Sequence, residues 1–224
     1  MFLDPALIPN SLLWVSYALA AAVLLPCLRY AHWSALWAVP LRQHLLFGSL
    51  LFLVVLWLIS VRMFEGLWLH FLGITTVTLL LGWRFTVLVG AVACCIYALL
   101  IQQSLTGAPL SWLLSVLVPA TLSRGLVYWL RQRPQSNLFV YLLGAGFGGG
   151  VLASIGLCVS GLIVLALIGQ GDRVSAALEA WPMVTLIAFP EGFMNGMVLS
   201  VIVVLNPEAV KTFDSDKYLG EGED

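Results

Sequence analysis

Charge is scarce in this sequence, and the scarcity excludes several kinds of protein. Only 9% of the 224 residues are charged, while 61% are hydrophobic and the mean hydropathy is +1.02. This composition predicts an integral membrane protein and leaves too little polar surface for a soluble domain. The formal net charge of −1 also excludes the clustered basic excess that a nucleic-acid partner would require.

Several motifs are missing as well. The sequence has no G-x-x-x-x-G-K-[ST] pattern, so active transport would need another subunit to hydrolyse the nucleotide. It has no H-E-x-x-H or G-x-S-x-G motif, and the apolar runs hold no pair of acids for general acid/base chemistry, so we expect no enzyme. Four cysteines lie inside apolar runs without C-x-x-C spacing, which favours small buried hydrophobes over a disulfide framework or a zinc site. The N-terminus lacks a basic n-region, so we expect no cleaved signal peptide.

What the sequence has in abundance is long apolar runs. Seven of them are candidates for the roughly 20-residue length of a spanning helix: 11–28, 45–61, 68–82, 85–105, 111–130, 138–168 and 182–205. The third run is short and predicts a buried or partly spanning helix. The sixth is too long for one upright helix, and predicts a helix that is tilted or broken at its glycine string. We therefore predict an all-α polytopic fold of about seven transmembrane helices, with a single membrane domain over residues 1–205.

The distribution of basic residues predicts the orientation. With the N-terminus outside, seven Lys and Arg fall in inner loops and the tail, against Arg62 and Arg173 outside. The N-terminus is therefore predicted outside and the C-terminus in the cytoplasm. Residues 206–224 hold six of the eleven acids and show no apolar periodicity, so they are predicted to form a short, solvated acidic tail.

Glu191 is the most unusual polar residue because it lies within the last apolar run. A charge at that depth costs about 2.5 to 3.5 kcal/mol on insertion scales, so it should face protein, a cavity or a partner. Helical spacing places Asn195 on its face, and Pro190 is expected to kink the helix. Arg124, inside the fifth run, is the predicted partner of Glu191, either as a packing node or beside a substrate pathway. The alternative is that Arg124 extends its side chain to the inner membrane interface instead.

Two further features are candidates for function. His70 is the only histidine inside an apolar run, and threonine hydroxyls follow it within two turns, although a packing role is the alternative. Small-x-x-x-small pairs occur in three places and allow close helix packing, within the chain or with a partner subunit: Ala18 with Ala22, Gly146 with Gly150, and Gly192 with Gly196.

Three stretches together resemble a known family: "GLWLHFLGITTVTLLLG", "SRGLVYWLRQRPQSNLFVYLLGAGFGGG" and "AFPEGFMNGMVLSVIVVLNPEAVKTFDSDKYL". They are similar to the cobalt/nickel permeases of energy-coupling-factor ABC importers (CbiM-like), in particular to a proteobacterial branch. The resemblance covers about residues 66–219. It implies a multi-pass permease subunit of the bacterial inner membrane that captures a divalent transition metal, working with a scaffold transmembrane subunit and separate ABC ATPases.

The resemblance also implies a metal site with one departure. The family builds its site from the extreme N-terminus, with a histidine at the second position and another in a later segment, and His70 matches the later one. Here the second position is Phe2, so the family's square-planar nitrogen set cannot form as such. Met1, through its amine and thioether, and His70 remain the predicted metal ligands, with Asp4 as a hard oxygen donor, a set that suits Cu(I) or a weaker nickel or cobalt site.

The resemblance further implies that Ala18 and Ala22 face the scaffold subunit, and Gly146 and Gly150 are a second candidate partner interface. No resident cofactor is expected, because the metal would be the transported substrate. The alternative function is a membrane scaffold or assembly protein without a substrate of its own.

Overall fold

The computed structural model describes residues 2–3, 8–64, 67–133 and 137–219. Within these ranges, six helices are long and apolar enough to cross a membrane. They are α1 (Asn10–Tyr30), α3 (Pro40–Leu58), α5 (Trp83–Leu100), the continuous span Leu105–Arg131, the continuous span Val140–Leu167 and α10 (Trp181–Leu205). The chain is therefore a helical, multi-pass membrane protein, as its composition predicts.

Two of these spans combine α-helical turns with 3₁₀ or π-helical turns. The span Leu105–Arg131 joins a 3₁₀ turn (Leu105–Gly107), α6 (Ala108–Trp112), a π-helical turn (Leu113–Leu117) and α7 (Val118–Arg131). The span Val140–Leu167 begins as a π-helix over Val140–Gly148 and continues as α8 (Gly149–Leu167). The sixth apolar run, 138–168, thus forms one continuous helix. Most of its glycine string lies in the π-helical part, and the helix is not broken there.

A small sheet is the exception to the helical architecture. Strands β1 (Phe2–Leu3), β2 (Ser60–Phe64) and β3 (Leu67–His70) form it in the order β1-β3-β2, with both neighbouring pairs antiparallel. Phe2 pairs with Trp68, and Ser60 pairs with His70. The architecture is otherwise helical, in agreement with the predicted all-α class, and the short sheet is a local addition at one end of the bundle that the sequence analysis did not predict.

The third apolar run is the segment whose structure differs most from a regular span. It starts as β3, passes through the non-helical residues 71–73 and ends as the eight-residue helix α4 (Ile74–Leu81), whose residues are all buried. Eight helical residues rise only about 12 Å, against a hydrocarbon core of about 30 Å. The run therefore forms a buried, partly spanning helix, as its length predicts, and the described residues contain six long spans where the sequence analysis counted seven runs.

The bundle has two distinct ends, joined by α3. At the sheet end, α3 finishes next to β2. At the other end the Arg84 Nη1 atom donates to the Tyr30 carbonyl at the end of α1 (2.7 Å), and Arg131 Nη2 donates to the Thr212 carbonyl (2.7 Å). We call this second end, defined by Tyr30, Arg84, Arg131 and Thr212, the basic end. The remaining helices of the described residues are short: α2 (Trp33–Ala38), α9 (Gly171–Glu179), a 3₁₀ turn (Pro207–Ala209) and α11 (Ser215–Leu219).

Two glycine pairs hold α10 against the span Val140–Leu167. A Cβ added at Gly150 would lie 2.9 Å from the Gly192 Cα atom, and one at Gly146 would lie 3.1 Å from the Gly196 Cα atom. The two backbones are too close for side chains at these positions. Gly146 and Gly150 therefore pack inside the chain, which corrects their assignment to a partner interface, whereas Ala18 and Ala22 are exposed on α1.

The start of the C-terminal segment is folded against the bundle. The backbone amides of Lys211 and Thr212 donate to the Leu80 and Leu79 carbonyls (3.2 and 3.1 Å), which cap the last turn of α4. Val210 and Tyr218 are buried. The segment therefore packs against the bundle through its backbone and a few apolar residues, a contact that its acidity did not predict, while the side chains of Glu208, Asp214 and Asp216 are exposed.

Candidate metal centre at the sheet end

His70 is the last residue of β3 and is buried, with 5% of its surface exposed. Its ring centroid lies 5.0 Å from that of Trp57 on α3 and 5.7 Å from that of Tyr97 on α5. Trp57 Nε1 also donates to the Leu72 carbonyl (3.0 Å), which fixes the indole against the backbone that follows His70. Two helices and the sheet thus enclose the imidazole in an aromatic pocket.

The hydrogen bond at Nδ1 of His70 defines its tautomer. Nδ1 lies 2.9 Å from the Phe71 carbonyl oxygen, which can only accept a hydrogen bond. Nδ1 therefore carries the proton, and in the neutral ring Nε2 has the lone pair. This is the arrangement found in metal-binding histidines, in which the second ring nitrogen donates to a carbonyl or carboxylate.

Strand pairing brings the N-terminal strand onto the strand that carries His70. Phe2 pairs with Trp68, two residues before His70 on the same strand. The structure therefore brings together the two chain regions, far apart in sequence, that the family resemblance assigns to the metal site. Met1 and Asp4, the other predicted donors, lie outside the described residues. Among the described side chains, no group of three or more His, Cys, Asp or Glu residues could hold a metal by itself.

Glu191 holds the non-helical backbone that follows His70. Its Oε2 atom accepts from the Leu72 amide (2.7 Å) and its Oε1 atom accepts from the Gly73 amide (2.8 Å). Gly73 is the N-cap of α4 and has a φ of +64°, in the left-handed region that glycine adopts without strain. A carboxylate from α10 thus caps α4 from another helix, and it satisfies amides that lipid could not solvate.

Asn195 extends the same contact by one helical turn. Its Nδ2 atom donates to Glu191 Oε1 (2.7 Å), and its Oδ1 atom accepts from the Thr76 amide (2.9 Å) and hydroxyl (2.7 Å). Glu191 and Asn195 are 1% and 0% exposed, so these bonds are shielded from solvent. We call Glu191, Asn195 and the amides of Leu72, Gly73 and Thr76 the α4 clamp.

The partner predicted for Glu191 was wrong. Arg124 is an exposed residue of α7, and its guanidinium carbon lies 5.5 Å from the Trp83 ring centroid near the basic end. Backbone and amide donors satisfy the carboxylate instead, because the segment before α4 is not helical and leaves its amides without intrahelical acceptors. Pro190 stands inside α10, which continues as one helix from Trp181 to Leu205.

Comparison with family models identifies the family of this chain. The family model described as "CbiM: Cobalt uptake substrate-specific transmembrane region" matches residues 3–209. The chain belongs to this family. No curated protein and no solved structure matches the chain.

Membership confirms the resemblance found in the sequence. The CbiM family is a membrane component of cobalt uptake and not an enzyme family. In bacteria, a multi-pass chain of this kind lies in the inner membrane.

Three parts of the site could not be found from sequence patterns. Trp57 and Tyr97 lie in ordinary apolar runs, where an aromatic residue predicts only packing. The amides of Leu72 and Gly73 carry no residue signature at all. One signal did exist, since Gly73 follows His70 closely and a glycine at that position is typical of an N-cap or a turn with positive φ.

Proposed function

We propose that this chain captures a divalent transition metal, cobalt or nickel, as the membrane subunit of an importer of the energy-coupling-factor type. The family match supports a cobalt-uptake component. The observation that carries the metal site is the pairing of Phe2 with Trp68, two residues before the buried His70. His70 and Met1 are the proposed ligands, and Phe2 supplies backbone but no imidazole, so the site is expected to bind more weakly than one with two histidines.

The α4 clamp supports this function by fixing the backbone around His70. Glu191 bonds the amides of residues 72 and 73, and His70 bonds the carbonyl of residue 71. The position of the imidazole therefore depends on the same three-residue segment that Glu191 holds. We propose that metal enters at the sheet end, which the distribution of Lys and Arg predicts to face the outside.

Metal titration of the detergent-purified chain tests the proposal. The chain should begin at Met1 and carry its tag at the C-terminus, because an N-terminal tag would displace Met1. Wild type should retain nickel or cobalt in stoichiometric amount, and His70→Ala should weaken binding at least about tenfold, since a ligand is lost. His44→Ala is the matched control, because His44 is an exposed histidine of α3, and it should bind like wild type.

Two results would contradict the proposal. Equal binding by His70→Ala and wild type would remove His70 from the ligand set. The absence of nickel, cobalt or Cu(I) binding by all three proteins would favour a scaffold role without a substrate.

We further propose that Ala18 and Ala22 face a scaffold transmembrane subunit, and that separate ABC ATPases supply the energy. Both residues are exposed on α1, and small residues at this spacing allow close helix approach. Ala18→Leu should abolish copurification of the partner subunit. Gly48→Leu introduces a side chain of the same size on α3, where the glycine has no neighbour within 4 Å, and it should leave the complex intact. Loss of the complex in both variants, or in neither, would contradict this interface.

A further inference from the structure

A cavity at the basic end has a strongly basic lining and is separate from the metal centre. It has a volume of about 420 Å³. Its cationic lining residues are Arg84, Arg124, Arg131 and Lys211. Among the described residues, none of its lining side chains carries a carboxylate. Four cations thus share one cavity without a carboxylate in its wall.

Three of the four cations contact backbone carbonyls, and the fourth, Arg124, lies over the Trp83 ring. Arg84 and Arg131 each donate to a carbonyl, of Tyr30 and Thr212 respectively (both 2.7 Å), and Lys211 Nζ lies 3.4 Å from the Leu81 carbonyl. A guanidinium has five N–H donors, so one such contact orients it without exhausting its capacity. The stem of Lys211 crosses Gly82, where an added Cβ would lie 3.0 Å from the lysine Cδ atom. The fold therefore orients Arg84, Arg131 and Lys211 in the wall of one cavity.

The cations around the cavity repel one another, and a bound anion would reduce that repulsion. Desolvation first, and then repulsion by Arg42 and Arg84, lower the pKa of Lys211 below its usual range. Two described acids lie in the same part of the chain but do not line this cavity: Glu208 lines an adjacent cavity together with Arg42 and Lys211, and Asp214 accepts from the Lys217 amide at the start of α11. The cavity also lies at the N-terminus of α5, whose cap is Gly82 without a side-chain cap bond, and the helix dipole there favours negative charge.

The position of the cavity indicates the source of the anion. It lies at one end of the helical bundle, beside aromatic residues of the kind that mark membrane interfaces. Tyr128, which lines it, is 67% exposed, and Trp129 next to it is 49% exposed. Apolar helix surfaces continue from this end along the bundle, where acyl chains would lie.

We propose that this cavity binds the phosphate of an anionic phospholipid headgroup. Arginine forks match phosphate oxygens in two-point contacts, and basic pockets between transmembrane helices are suited to anionic headgroups. The bound lipid neutralises the cations and joins α7, the start of α5 and the C-terminal segment. This site is independent of the metal proposal, since it lies at the opposite end of α3.

Native mass spectrometry of delipidated protein in a neutral detergent tests the site. The probes are phosphatidylglycerol, phosphatidylcholine and inorganic phosphate at equal concentrations. Wild type should bind one phosphatidylglycerol in clear preference to phosphatidylcholine. The double variant Arg124→Gln/Lys211→Gln should lose about 10- to 30-fold in affinity for phosphatidylglycerol, because two cations near the headgroup are removed.

Matched variants separate the cavity from general charge and from misfolding. Arg29→Gln removes an exposed cation near the same end that does not line the cavity, and should change the affinity by less than about twofold. Arg124→Lys/Lys211→Arg keeps both charges and should retain the lipid. Equal phosphatidylglycerol binding by wild type and the neutral double variant would overturn the proposal, as would equal losses in Arg29→Gln. Binding of inorganic phosphate as tight as that of phosphatidylglycerol would show a site for free phosphate and would overturn the lipid assignment.

Discussion

Substitution of Glu191 by Gln tests the α4 clamp most directly. The change keeps the size of the side chain and one acceptor oxygen but replaces the other oxygen by an NH₂ group. Three donors converge on the carboxylate, from Leu72, Gly73 and Asn195. A glutamine can accept at only one atom, so at least one buried donor must face another donor.

The magnitude follows from that lost acceptor. A buried donor left unsatisfied costs about 1 to 3 kcal/mol. A loss of about 2 kcal/mol in the free energy of unfolding corresponds to a decrease in Tm of about 4 to 8 °C for a chain of this size. Glu191→Gln should therefore melt several degrees lower, and its metal affinity should fall because residues 71–73 no longer fix His70.

The assay is thermal unfolding in detergent, followed by tryptophan fluorescence, with two controls. Glu179→Gln changes an exposed acid of α9 in the same way and should leave Tm unchanged. Arg124→Gln should leave it unchanged as well, because Arg124 lies near the basic end and does not touch Glu191. If Glu191→Gln melts within about 1 °C of wild type, or if Arg124→Gln lowers Tm as much, the clamp is refuted.

Two further predictions concern packing. Gly150→Ala should destabilise the chain by about 1 to 3 kcal/mol, because the added Cβ would meet the Gly192 backbone at 2.9 Å. The control Gly125→Ala should be neutral or stabilising, because Gly125 has no neighbour within 4 Å. Equal Tm values for the two variants would contradict the close contact of α8 and α10. A chain that ends at Val210 should melt well below one that ends at Leu219. Only the longer chain keeps the hydrogen bonds of the Thr212 hydroxyl with the Leu79 carbonyl (3.0 Å) and with the Tyr141 hydroxyl (2.7 Å). If the two truncated chains unfold at the same temperature, the segment 211–219 does not stabilise α4.

Much of the fold follows from local properties of the sequence. Run length and composition predict the long spans, because a bilayer requires about 20 apolar residues per crossing. Glycine spacing predicted that these helices pack closely against a neighbour, within the chain or in a partner. Neither property identifies the glycine partners, which is why Gly146 and Gly150 were assigned to a partner surface.

The polar contacts of the site were less predictable for a physical reason. Depth in an apolar run shows that Glu191 needs a partner, but the most obvious partner in a sequence is an opposite charge. The actual partners are amides, and every non-proline residue has one. The packing of the C-terminal segment against the bundle was equally hard to predict, because its acidic side chains suggest a solvated tail. Backbone hydrogen bonds and three buried residues, Ala209, Val210 and Tyr218, hold the segment in place.

The α4 clamp also affects how the chain can be assembled during synthesis. Glu191 and Leu72 are separated by 119 positions, so the ribosome completes three further long spans after Leu72 before it reaches α10, which carries the acceptor for the Leu72 amide. Until then the segment 71–81 is too short to be a stable helix in lipid and carries amides without acceptors. It should therefore enter its final position only after α10 has been inserted, so the region around His70 is among the last parts of the protein to become ordered.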